Sequence, residues 1–219
     1  DRTRFAPAVE YEKDITAYWQ HNYDKEGKEL RAEFTVSSQS EDEKNYYSNQ
    51  YFFPFASIVP DNNWVNQIEH NQQATVDFVN PIGDDAKMEL GYASSFIQQD
   101  IDFYTENVNA STGKLEKNPF TSNRFKLNQQ VHALYATYSK TSNQFSYSLG
   151  LRTEQSFIES NLVTRDSIIK NQYVNLFPTI HLSYKLTKGE LQLNYSKRVN
   201  RPEGDDLNPF PEYLDPINL

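Results

Sequence analysis

The chain has 219 residues, and its 21 Lys and Arg against 30 Asp and Glu leave a formal net charge of −9. Phosphate contacts need clustered Lys and Arg, so this balance argues against a nucleic-acid partner. The one basic cluster, Lys197-Arg198-Val199-Asn200-Arg201, is too short to reverse that reading. Cysteine is absent, which excludes disulfides and thiolate metal sites. Mean hydropathy is −0.79, yet 14% of the residues are aromatic, whereas disordered chains are poor in aromatics. No apolar run approaches the length of a membrane-crossing helix. The opening residues DRTRFAPAVE hold no basic segment followed by an apolar run, so no signal peptide is visible. The chain is expected to be either a mature protein or a piece of something longer.

The dominant period along the chain is two, which is the period of a strand with one apolar face. From Asp14, the residues Ile15, Ala17 and Trp19 alternate with Thr16, Tyr18 and Gln20. Leu30, Ala32, Phe34 and Val36 follow the same rule, as do Ala74, Val76 and Phe78, and then Met88, Leu90 and Tyr92. Further on come Val131, Ala133 and Tyr135, then Phe145, Tyr147, Leu149 and Leu151. Ile180, Leu182, Tyr184 and Leu186 precede Leu191, Leu193 and Tyr195. These are eight strand candidates, and no convincing helix lies among them. Short turns are predicted at 24–28 (DKEGK), 80–86 (NPIGDDA), 140–144 (KTSNQ) and 187–190 (TKGE), each carrying residues that tolerate turn dihedrals. Between them lie long polar segments at roughly 39–64, 104–123 and 157–173, which are expected to be loops.

Alternation by itself fits a soluble sandwich as well as a membrane barrel. Three features favour the barrel. The strands run about nine residues or more, enough to cross a bilayer at a tilt. Short turns at one end and long connections at the other are the habit of outer-membrane barrels. Aromatics gather near strand ends, at Tyr18, Trp19 and Tyr23, at Phe103 and Tyr104, and at Phe157, Tyr173 and Phe177, as in interfacial girdles. On these features alone, both architectures remain open.

Residues 175–186 (NLFPTIHLSYKL), 190–202 (ELQLNYSKRVNRP) and 207–210 (LNPF) form a recurrent pattern. So do the upstream hairpins 73–82 (QATVDFVNPI) with 87–92 (KMELGY), and 131–138 (VHALYATY) with 145–154 (FSYSLGLRTE). Across about residues 9–216 the chain resembles the β-barrel region of Bacteroidetes outer-membrane proteins related to TonB-dependent receptors. Lys197 stands where an Arg is common, and EGDD at 203–206 replaces a more aromatic stretch. The resemblance implies a fragment, because family members carry a signal peptide, a carboxypeptidase-regulatory-like domain, a plug and a barrel of about 22 strands. It also implies two unpaired sheet edges.

Sites for chemistry are sparse. His21, His70, His132 and His181 show no ligand spacing with one another or with a carboxylate cluster. Asp84-Asp85, Gly204-Asp205-Asp206 and Glu41-Asp42-Glu43 present oxygens suited to Ca²⁺, but they read as turn and loop residues and match no EF-hand. There is no G-x-S-x-G, no H-E-x-x-H and no phosphate loop. The acceptor triplets at Asn109 and Asn194 are too short a signal for glycosylation. The most informative set is an inward-facing polar row of Arg152, His181, Lys185, Asn194, Ser196 and Arg198, expected to meet solute, plug or water. The segments 39–64 and 104–123 hold Tyr, Phe and Asn, a composition suited to glycan or peptide.

The expectation is therefore an all-β, antiparallel meander of about eight long strands. Residues 1–219 would form a slice of a transmembrane β-barrel with short periplasmic turns and long extracellular loops. It would lie in the bacterial outer membrane, without cofactor, metal or enzymatic role, as the barrel segment of a TonB-dependent receptor for nutrient uptake. Its partners would be outer-membrane lipid, the plug domain and TonB system through the full-length protein, and an unidentified solute. A soluble or surface β-domain that binds glycan or protein is the alternative, as is a structural barrel with no transported solute.

Overall fold

A computed structural model describes residues 1–201 together with Leu207 and Asn208. The strands are β1 (Arg2–Phe5), β2 (Ala8–Asn22), β3 (Glu29–Tyr51), β4 (Ser57–Ile82), β5 (Ala86–Val108), β6 (Leu115–Lys117), β7 (Asn123–Ser142), β8 (Phe145–Leu162), β9 (Ser167–Leu186) and β10 (Gly189–Ser196). All join one antiparallel sheet in the order β1-β3-β4-β5-β7-β8-β9-β10, with β2 also on β3 and β6 also on β5. No helix among the described residues is long and apolar enough to cross a membrane, which has no bearing on strands. No ladder among the described residues joins β2 to β10, so the sheet is open at both ends.

All eight predicted strands are present, and so are the four short turns. Gly27 and Gly83 adopt φ of 72° and 68° at two of them, a region L side chains enter with strain. Asn143 sits at φ 50° in the β7–β8 turn, where its short polar side chain is tolerated. At the other end the asymmetry holds, but the paired backbone runs further than the sequence pattern shows. Most of 39–64 belongs to β3 and β4, leaving 52–56 as the connection. Likewise 157–173 is mostly β8 and β9, separated by a 3-10 turn at Val163–Arg165. These polar stretches lose the apolar alternation while their backbones keep the ladder.

Directly opposed residues in an antiparallel ladder share a face, so register carries each face across the sheet. One face holds Ile15, Trp19, Phe34, Val76, Leu90, Leu134, Leu149, Leu151, Leu176, Ile180, Leu191 and Leu193, all exposed. The other holds Val131, Ala133, Gln129, Glu154, Ser156 and Phe177, all buried. That is the reverse of a soluble sheet, whose apolar face is covered. Aromatics bracket the exposed apolar band. Near the short turns Trp19 stacks on His21, His21 meets Tyr23 edge-on at 4.6 Å, and Tyr138 lies 6.0 Å from Tyr147. At the opposite margin His132 lies 5.4 Å from Phe96 and 6.3 Å from Phe157.

The buried apolar core lies elsewhere, on the sheltered face of the long-strand end. Ile101, Phe125, Leu127, Ile158 and Leu162 form it, with Tyr173 and Leu207 packed against them. Leu207 reaches this cluster from beyond β10, and Asn123 donates a 2.9 Å hydrogen bond to its neighbour Asn208.

Candidate functional site on the sheltered face

A continuous row crosses the sheltered face at the level of the apolar band. Register aligns Gln20 with Arg31, Arg31 with Asp77, Asp77 with Gly91, Gly91 with Tyr135, Tyr135 with Arg152, and Arg152 with Phe177. Gly91 has no side chain, and the Tyr135 ring lies across the space a Cβ would need. This lets the Tyr135 hydroxyl reach past β5 and donate to Asp77 on β4. The Arg152 guanidinium stands 5.3 Å from the Tyr135 ring centroid and donates from Nε to Glu154 at 2.6 Å. Arg201 pairs with the other carboxylate oxygen of the buried Glu154. Two cations on one buried carboxylate leave a positive surplus, in a chain that is negative overall.

The predicted polar row divides. Arg152, His181, Ser196 and Arg198 line one cavity of about 470 Å³, together with Tyr135, Phe177 and Arg201. Asn194 stands opposite His181 on β10, with its Oδ1 2.8 Å from the imidazole Nδ1, and borders the adjoining cavity of about 290 Å³. Lys185 lies apart at the short-turn end, opposite Glu190. A larger cavity of about 610 Å³ joins the row on the other side, lined by Glu69, Gln73, Thr75, Gln99, Glu154 and Arg201 among others.

Sequence reasoning missed Asp77, Gly91, Glu154 and Arg201, and it grouped Tyr135 with Val131 and Ala133 as an apolar stripe that the ladder turns to the sheltered face. Glu154 was accessible by parity, two positions after Arg152. Arg201 follows β10 and carries no periodic signal. Also missed was an ion-pair cluster at the rim, where Arg2 pairs with the buried Asp61 at 3.0 Å and lies 3.7 Å from the Tyr47 ring. Exposed aromatics crown that end: Phe52, Phe53 and Phe55 in the β3–β4 connection, and Phe120 after β6. On the turn at 109–114, hydrogen bonds from Thr112 and Asn109 hold the Glu116 carboxyl below its usual range.

Among the described residues no three His, Asp or Glu gather as a metal site. Asp85 pairs with Lys140 at 3.4 Å and Glu43 with Arg4, which is turn and ladder chemistry. Gly204-Asp205-Asp206 lies outside the described residues.

A lipid-exposed apolar band, flanking aromatic girdles and a polar sheltered face together define the wall of an outer-membrane β-barrel. Residues 21–219 match the model of the outer membrane protein beta-barrel family, and the chain belongs to that family. Among solved structures, the open form of the ferric-catecholate import receptor Fiu from E. coli K12 matches at 13% identity and a TM-score of 0.57, over 86% of this chain and 35% of that one. BauA, the ferric preacinetobactin receptor from Acinetobacter baumannii, matches at 12% identity and a TM-score of 0.54, over 86% of this chain and 30% of that one. The chain thus spans about a third of the length of the structures it matches. No curated protein sequence is similar enough to add to this. The fold is that of a barrel slice of TonB-dependent receptors, and the protein resides in the bacterial outer membrane.

Proposed function

We propose that the chain is part of the wall of a TonB-linked importer for a nutrient solute, and that residues 1–219 are one slice of a larger barrel. The observation that carries this reading is the two-faced sheet, with an apolar band for lipid backing a charged, cavity-lined inner face. The wall would face a plug domain, supplied by the full-length protein and moved by the TonB system. The lumen row of Arg152, His181, Asn194, Ser196 and Arg198 would contact plug or passing solute, with Lys185 near the periplasmic exit. The Phe52, Phe53, Phe55 and Phe120 crown would meet a glycan or peptide first, since aromatic faces stack on either. This chain supplies walls and contacts rather than covalent chemistry. Import receptors among the structural neighbours agree with the reading, although their likeness to this chain is one of fold.

The deciding experiment is growth on candidate sole nutrients with the full-length protein, with and without TonB coupling. Loss of uptake in the uncoupled strain is the expected result. Uptake that persists without coupling would sink the importer reading, and so would a protein that partitions into the aqueous phase.

A further inference from the structure

We propose that the outer face of the wall holds a site for the saccharide head of an outer-leaflet glycolipid, in the cavity where β5, β7, β8 and β9 leave the lipid band. Two rows of directly opposed residues build it. Phe96, Gln130, Phe157 and Gln172 form the first, and Gln98, Asn128, Glu159 and Lys170 the second. Side chains from all eight border a cavity of about 620 Å³. It opens on the same face as Leu134 and Leu151, away from the lumen.

Depth selects the ligand class. Tyr92 lies on the margin of the apolar band, with its hydroxyl 2.8 Å from His132 Nδ1. Phe96 and Phe157 flank the same imidazole edge-on. Such amphipathic rings sit where hydrocarbon meets headgroups. The cavity begins at this level, on the far side from the short turns that outer-membrane barrels keep in the periplasm. Whatever fills it is therefore at headgroup depth in the outer leaflet.

Chemistry narrows the class further. Glu159 and Lys170 neutralise each other at 2.7 Å, so the cavity offers no surplus charge for a phosphate. The carboxamides of Gln98, Asn128, Gln130 and Gln172 bond to no other described residue. A carboxamide both donates and accepts, which matches sugar hydroxyls that do the same. Two phenyl rings beside free amides add apolar faces for the C–H faces of a pyranose. A head tethered by its acyl chains gains from the apolar band directly beneath. The proposal commits to the lipid-linked sugar and is independent of which solute the barrel imports.

The test is native mass spectrometry of the full-length protein in mild detergent, after exchange against rough-type lipopolysaccharide. The wild type should retain the glycolipid. The N128A/Q130A double variant should retain roughly tenfold less, as expected for two lost hydrogen bonds. Gln130→Glu, which keeps the shape and adds a repelled charge, should lose it as well. Gln73→Ala, on the lumen face, should retain it fully. Heat-modifiable gel mobility checks that each variant is folded. Equal retention by the folded N128A/Q130A variant overturns the proposal. So does equal displacement by phosphatidylglycerol, which would mean a generic lipid contact. Equal binding of the deacylated core oligosaccharide overturns the lipid-linked site.

Discussion

Gly91 and Tyr135 act as one unit across the β5–β7 ladder. Any Cβ at Gly91 overlaps the Tyr135 ring, whose hydroxyl is held by Asp77. Gly91→Ala is expected to destabilise the folded protein by about 1–3 kcal/mol, the usual range for overpacking. In a Tyr135→Ala background most of that penalty should vanish, because the three atoms nearest the added Cβ all belong to Tyr135. Urea unfolding in detergent, arranged as a double-mutant cycle, checks this; additive effects would break the pairing argument. Asp100 gives a second test, above the membrane band. Its carboxylate accepts from Arg124 at 3.0 and 2.9 Å and pairs with Lys126 at 2.9 Å. The Arg124 hydrogen bond is the main reason that its pKa falls below the ordinary 3.8, with partial burial opposing and Lys126 assisting. A lowered carboxylate pKa stabilises above the ordinary value and loses that contribution as pH falls through the folded one. Amide protection on the β5–β7 extension should therefore decline as the pH drops below 3.8. Asp100→Asn should flatten that decline and cost at most about 1 kcal/mol at neutral pH, since all three groups are partly exposed. An unchanged acid profile in the variant would rule the pair out as its source.

At the element scale the exposed face has a depth axis. Leu134→Arg and Leu151→Arg place a cation in the apolar band and should cost about 2–4 kcal/mol in a bilayer, whereas Ser40→Arg, on the same face but level with Asp100, should cost about 0–1. Register aligns Ser40 with Ile68, and Ile68 with Asp100, above the band. Unfolding from phospholipid vesicles would show the gradient; equal costs would remove the lipid assignment. The same gradient explains what was readable in the sequence. Inside the band, hydrocarbon demands Leu, Val or aromatic at every second position, so β8 through Leu149 and Leu151 and β10 through Leu191 and Leu193 announce themselves. In β7, by contrast, the alternating Val131, Ala133 and Tyr135 face inward and the lipid side is carried by Leu134. Above the band both faces of β3 are polar, and SSQSEDEKNYYSNQY keeps its hydrogen-bonded ladder with no period to betray it. Parity puts Arg152, His181, Asn194 and Ser196 on one face, because a side chain's face depends only on strand and period. It could not join Tyr135 to Asp77 or Arg2 to Asp61, which are 58 and 59 residues apart and meet only through register and chain return.

For the whole molecule the open sheet is decisive. Among the described residues β2 and β10 have no ladder along their outer edges, and every residue of both is exposed. Edges of this kind pair with whatever strand is at hand. The chain alone in detergent is expected to self-associate through them. Because cysteine is absent, single cysteines at Thr16 and Asn194 report on this cleanly. Disulfide-linked dimers are the expected product, whereas an intramolecular cross-link in a monodisperse monomer would show that the ten strands close on themselves.

The reach of β3, β4 and β5 has a further consequence. At 23, 26 and 23 residues they are about twice what a bilayer crossing requires. At about 3.3 Å per residue and a tilt of about 40°, the surplus raises the wall roughly 20–35 Å beyond the headgroups. That end of the sheet is then a raised wall of laddered backbone. The 52–56 connection, with Phe52, Phe53 and Phe55, is carried at the top of that wall, at a height set by paired backbone rather than by loop length.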